Sequence, residues 1–222
     1  RALYHLHLAA ADALYGAAGL DRGLRALREA AAADPSAVRW PLYRALHWEF
    51  RALQGASPHE VRRGVAGIGP EEPVAAYHGA SALWLAGAAR SARRALQAID
   101  DDTVPSYLRW RRAALLGHAH ADSDDWQAAA VAFAAAYDGA SDGERAGLRL
   151  QLAGALLELG RAEEARTLLL DLVPDELPDA DRAWAAQLDG RALLELGNPG
   201  LALERLADAE RLADDPVGRF EA

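Results

Sequence analysis

Residues 186–216 read AQLDGRALLELGNPGLALERLADAERLADDP, and this stretch decides the fold. Its first half carries apolar residues at helical spacing and stops at Gly197-Asn198-Pro199, where glycine ends one helix and proline opens the next. A second amphipathic segment follows at once and ends at Asp214-Asp215-Pro216. Two amphipathic helices joined by so short a turn form an antiparallel hairpin. Residues 152–172, LAGALLELGRAEEARTLLLDL, repeat the pattern, so the hairpin is a recurring unit.

Aligning the small residue in the middle of each first helix puts Ala11, Trp48, Ala80, Gly117, Ala153 and Gly190 in register, at spacings of 37, 32, 37, 36 and 37. Downstream of each come a turn, a small residue and a bulky one: Gly197, Ala202 and Leu206; Gly160, Ala165 and Leu169; Gly87, Ala92 and Leu96; Trp126, Ala129 and Phe133 in the fourth unit. The first unit gives Ala18, Leu27 and Ala30. Small residues are needed where two helices touch, with a large side chain filling the gap beside them. The second unit departs from this, with Trp48 at the small position and with Gly64 and Gly67 expected to loosen its second helix.

This pattern resembles the tetratricopeptide repeat, whose usual period is 34 residues. The resemblance implies an all-α, right-handed α-solenoid of about six helical hairpins, about twelve helices in all. The expected units are residues 2–36, 37–70, 71–104, 105–140, 141–177 and 178–216, in a single repeat domain over 1–222. Prolines and caps mark the joints: Asp34-Pro35, Pro70 and Pro73, Pro105, and Pro174 and Pro178. Ser57-Pro58-His59-Glu60 reads as a capping box, and Ser141 and Asn198 are expected caps. The chain opens at Arg1 inside a helical pattern, without methionine, and is expected to be a piece of a longer protein.

About half the residues are apolar, and the 24 basic residues, all arginine, face 33 acidic ones. That acidic balance argues against general nucleic-acid binding. Absence of cysteine removes disulfides and thiolate chemistry. No apolar run is long enough for a membrane span; the expected location is cytoplasmic, with the periplasm as the alternative. Charge is uneven: residues 1–120 hold 15 Arg against 11 acids, and residues 121–222 hold 9 against 22. Such an asymmetry can steer a partner or a second copy of the chain, although it is equally what ordinary solvated surface presents.

In the first helices, one stripe escapes the core pattern: Asp12, Glu49, Ser81, His118, Gly154 and Arg191 each follow the aligned small position by one residue. Helical spacing adds neighbours on the same face. The stripes are Tyr77, Ser81 and Trp84; Arg111, His118 and Asp122; Gln151, Gly154 and Glu158; Trp184, Gln187, Arg191 and Glu195. The resemblance implies that these line a concave groove for a peptide or a partner's helix. Trp, Tyr, Arg and His are residue types that anchor interfaces. With no Lys and one Asn, in a turn, the chain lacks the Lys-Asn clamp by which some relatives of that family grip a terminal carboxylate.

His118, His120, Asp122, Asp124 and Asp125 form the one cluster that suggests metal ligands. On a helix only His118 and Asp122 share a face, short of the three or four a zinc ion needs. Phosphate-binding loops, nucleophile elbows and HExxH are absent. The arginines around 90–94 and 109–112 are expected to cover apolar stems and pair with carboxylates. The expectation is therefore a non-enzymatic protein-interaction scaffold without cofactor, metal or catalytic group. The alternative is an effector-sensing domain of a larger regulator, holding a small molecule within the superhelix.

Overall fold

A computed structural model describes residues 1–172 and 177–214, and these form two compact units, Arg1–Ser123 and Asp124–Ala222. The expected joint residue Pro174 and the terminal Asp215-Pro216 turn lie outside the described residues. The first unit contains α1 (Ala2–Ala13), α2 (Leu20–Ala33), α3 (Pro41–Leu53), α4 (Pro58–Val65), α5 (Pro73–Leu85), α6 (Ala89–Ala98) and α7 (Ser106–Ala121). The second contains α8 (Trp126–Gly139), α9 (Asp142–Glu158), α10 (Ala162–Leu170), α11 (Asp179–Glu195) and α12 (Pro199–Asp214). Two short 3₁₀ helices, Gly16–Gly19 and Pro35–Arg39, complete the described elements, and no strand occurs among them. The all-α repeat of helical hairpins expected from the sequence is what both units are built from.

Stacking follows one rule in each unit. First helices touch first helices, α1 to α3 to α5 to α7 in one unit and α9 to α11 in the other. Second helices pack on the first helix of their own hairpin and on the next first helix, as α4 does on α3 and α5, and α10 on α9 and α11. Leu6, Ala9, Ala10, Leu27, Leu46 and Phe50 form the core of the first two hairpins. Leu150, Ala153, Leu157, Ala165, Leu169, Leu188 and Ala192 do the same for the second unit.

The turns show how the repeat is written. Gly55, Gly87, Gly160 and Gly197 each hold a positive φ after a first helix, a conformation nearly free of cost only for glycine. At Gly87 the Ala88 amide donates to the Leu83 carbonyl and the Gly87 amide to that of Trp84, both at 2.8 Å, and the same two bonds recur at the other three. In the fourth hairpin the left-handed position falls on Asp124, at φ 57°.

Ala80, Ala153 and Gly190 stand seven residues before their turn glycines, and all three are buried. The same interval counted back from Gly16 reaches Ala9, which is fully buried, whereas Ala11 is exposed. The 3₁₀ turn lengthens the first connection by two residues, so the small contact position is Ala9 and not Ala11.

The second unit of the repeat inverts the contact. A Cβ on Gly190 would lie 2.7 Å from Leu206 Cγ, so there the first helix is small and the second helix large, sixteen residues on. Trp48 and Gly64 stand at the same interval, and a Cβ on Gly64 would lie 1.9 Å from the Trp48 indole. Gly64 thus receives Trp48 rather than loosening its helix.

Caps are mixed. Ser57 Oγ accepts from the Glu60 amide and Glu60 accepts from the Ser57 amide, which completes the expected capping box. Ser141 stands at the start of α9 without a side-chain capping bond, and Asn198 Nδ2 donates to the Leu196 carbonyl. At helix C-termini, arginines supply the missing donors. Arg44 of α3 donates to the carbonyls of Gly64 and Ala66 at 2.8 and 2.7 Å, and Arg149 of α9 to that of Asp171 at 2.7 Å. Arg112 caps α6 through the Leu96 and Ile99 carbonyls, each at 3.0 Å, and also pairs with Asp101. Cations at these ends offset the helix dipole and satisfy orphan carbonyls.

Candidate partner-binding surface

In the first unit the stripe residues lie on α5 and α7. Tyr77 and Ser81 are buried, and Tyr77 packs with Leu96, Leu108 and Leu115. Burial pushes the Tyr77 hydroxyl well above its ordinary pKa; Glu49 adds to the effect and the Arg111 guanidinium opposes it. Trp84 is half-buried, its ring 5.1 Å from that of His118, and its Nε1 donates to Asp122 Oδ2 at 2.8 Å. Burial lowers the His118 pKa, against the pull of Asp122. Arg111 lies over the Trp110 ring at 4.1 Å and donates to the Tyr107 carbonyl.

The sequence stripe therefore separates into two layers. Trp84, His118, Asp122 and Arg111 remain in reach of solvent, while Tyr77 and Ser81 lie beneath. Beneath them too is a pair that sequence reasoning missed: His78 Nδ1 sits 2.7 Å from Glu49 Oε2, with 1% and 3% exposure. A carboxylate and an imidazole so completely removed from water persist only because each satisfies the other. Glu49 stood on the sequence stripe, one residue after Trp48. His78, 29 residues away on α5, carried no local signal, because the pairing depends on α3 and α5 packing.

In the second unit, Gln151 and Gly154 are half-buried on α9, and Glu158 is exposed near its end. Across on α11, Arg191 donates to Glu158 Oε1 at 3.0 Å. Trp184 is half-buried and Gln187 exposed, and together they line a cleft of about 410 Å³ with Ala180 and Ala183 of α11 and Leu206, Ala209 and Glu210 of α12. Glu195 is exposed at the end of α11. The structure thus joins Glu158 to Arg191 and sets Trp184 beside Gln187, in a separate cleft.

A second buried carboxylate also escaped the sequence reading. Asp189, 9% exposed, accepts from Arg166 Nε at 3.0 Å and from Arg205 Nε at 3.1 Å, so it ties α10, α11 and α12 together. Among the described residues no three or more His, Asp or Glu converge as metal ligands, and no helix is long and apolar enough to cross a membrane.

Residues 120–189 match the family model described as Tetratricopeptide repeat. No curated protein matches the chain. Repeats of that family typically serve as non-catalytic scaffolds that mediate protein interactions. Together with the all-α run of helices on both sides of the matched span, this match fits a tetratricopeptide-repeat-like helical repeat protein.

Proposed function

We propose that the chain is an interaction scaffold that holds a protein segment, an extended peptide or a partner's helix, on the first-helix faces of its units, taken each by itself. The observation that carries this reading is the solvent-accessible Glu158–Arg191 pair across α9 and α11, whose side chains are 37% and 41% exposed. An exposed pair of this kind contributes little to stability, so either charge is free to exchange its partner for one on a ligand. Trp84 and His118 add aromatic surface of the kind that anchors interfaces. Tyr77, Ser81 and the Glu49–His78 pair, buried beneath, fix the positions of the residues above them.

Charge reversal at Arg111 and Arg191 together tests the proposal. Wild type and the Arg111→Glu/Arg191→Glu variant are used as baits in native extract, with quantitative mass spectrometry of what each retains. The variant should lose the wild-type partners while its helicity and melting temperature stay within a few degrees. Partners retained undiminished would rule the first-helix face out as the binding surface.

A further inference from the structure

We infer that the outward faces of α2, α4 and α6 form a docking surface for an acidic protein segment, whose carboxylates accept from a row of arginines that the first unit leaves unpaired. Arg25 and Arg28 of α2, Arg62 and Arg63 of α4, and Arg90 and Arg94 of α6 are all exposed. Among the described residues none of the six takes part in a hydrogen bond or ion pair. That sets them apart from Arg22, which pairs with Asp12, and from Arg44 and Arg112, which cap neighbouring helices. It also departs from what the sequence led us to expect of residues 90–94: Arg112 does find a carboxylate, that of Asp101, but Arg90 and Arg94 do not. The carboxylates on these three helices are engaged locally. Glu29 lies 3.0 Å from His5 Nδ1, Glu60 closes its own capping box, and Asp21 sits in the first turn of α2, where the helix dipole favours it.

Packing sets the three helices in a row. Helices α2 and α4 both pack on α3, and α4 and α6 both pack on α5. On α3, Phe50 meets Gly23 of α2 and Trp48 meets Gly64 of α4, on nearly opposite flanks. Arg51 falls on the arc between those flanks and is exposed. The Glu60 carboxyl is held below its ordinary pKa first by hydrogen bonds from Ser57 and further by Arg51, so Arg51 lies beside α4. On α4 itself, Gly64 faces α3 and Val65 packs against Gly79 of α5. Helical spacing then puts Arg63 on the α3 side of the outer face and Arg62 on the α5 side, so the row runs on from α2 and continues toward α6. Guanidinium forks take carboxylates and phosphates alike, and the residues beside them decide between the two. No exposed side chain on the three helices is Trp, Tyr, Phe or a large aliphatic, which leaves nothing to stack on a base or to enter a bilayer. Asp21, Glu29 and Glu60 stand among the arginines and oppose the closely spaced charges of a duplex, whereas a protein segment with spaced carboxylates meets the arginines and bypasses them.

None of the six arginines belongs to the first-helix stripes, so loss of this surface and loss of the first-helix role are read separately. Fluorescence anisotropy on the 222-residue chain tests the docking surface with a labelled peptide of alternating glutamate and glycine, its glutamine counterpart, and a short DNA duplex and phosphatidylserine vesicles as competitors. The glutamate peptide should bind at about 0.05 M salt and be released at about 0.5 M, and the glutamine peptide should not bind. Arg28→Gln/Arg63→Gln and Arg62→Gln/Arg94→Gln should each weaken binding roughly 2–30-fold, as the loss of two exposed charge pairs does, and the four changes together should abolish it. These variants should keep wild-type helicity, since every replaced side chain is exposed. Arg145→Gln/Arg161→Gln, which removes the same charge from the second unit, should bind the peptide as wild type does. A glutamate peptide that does not bind, or equal weakening by the second-unit variant, would overturn the inference. So would a duplex or vesicles bound more tightly than the peptide through the same four arginines.

Discussion

At the scale of single residues, the greatest leverage lies in groups that have given up water. Removing either member of Glu49–His78 leaves the other as an unsatisfied polar group in a dry interior. Glu49→Ala or His78→Ala should each cost about 3–5 kcal/mol in urea unfolding, while Glu49→Leu/His78→Leu together should cost clearly less than the two single losses combined. Two other histidines of the first unit make stability depend on pH. Burial lowers the pKa of His118, and burial together with Arg51 lowers that of His47. A histidine with a depressed folded pKa binds fewer protons folded than unfolded, so its contribution is present above the unfolded value of about 6.5 and is lost as pH falls through the folded value. Melting temperature should therefore drop on going from pH 7.5 to pH 5, and His118→Gln should make that drop shallower.

At the scale of helices and turns, the inverted contact in the second hairpin gives a sharp test of what fixes helix spacing. Trp48→Ala should cost about 3 kcal/mol for the lost packing, and Gly64→Leu about 1–3 kcal/mol for overpacking against the indole. Combined, the two changes recreate the small-then-large arrangement of Gly190 and Leu206, and urea unfolding should show the double variant more stable than either single one. Element positions were legible in the sequence because prolines and turn glycines are local signals. Pro41, Pro58, Pro73 and Pro199 each open a helix. Three features were not legible, for physical reasons. Residues 35–39 wind as a 3₁₀ turn, which delays α3 to Pro41. The two extra residues before α2 shift the contact from Ala11 to Ala9, and only the φ of Gly16 reveals it. Gly64 reads as a helix-weakening residue until Trp48 is seen lying on it.

Beyond single elements, the described helices within each unit pack mainly on neighbours close in sequence, so stability is distributed over successive hairpins. That same locality set the limit on reading the site. Which residues share a helix face follows from spacing alone, so Glu158 and Arg191 each stood on the stripe of its own helix, but their pairing across α9 and α11 was not legible there. Whether a face residue is covered depends on the neighbouring helix, which is why Tyr77 and Ser81 turned out buried and why Asp189, bound by arginines from α10 and α12, carried no warning in its own helix. Two close contacts in the first unit differ in a way that bears on how such arrays are rearranged. Trp48 and Gly64 belong to one hairpin, whereas Gly23 of α2 makes room for Phe50 of α3 across a joint between hairpins. A gene rearrangement that duplicated or transplanted the second hairpin would carry the first compensation with it and leave the second behind. Modules of this chain are thus portable in their interiors and committed at their seams.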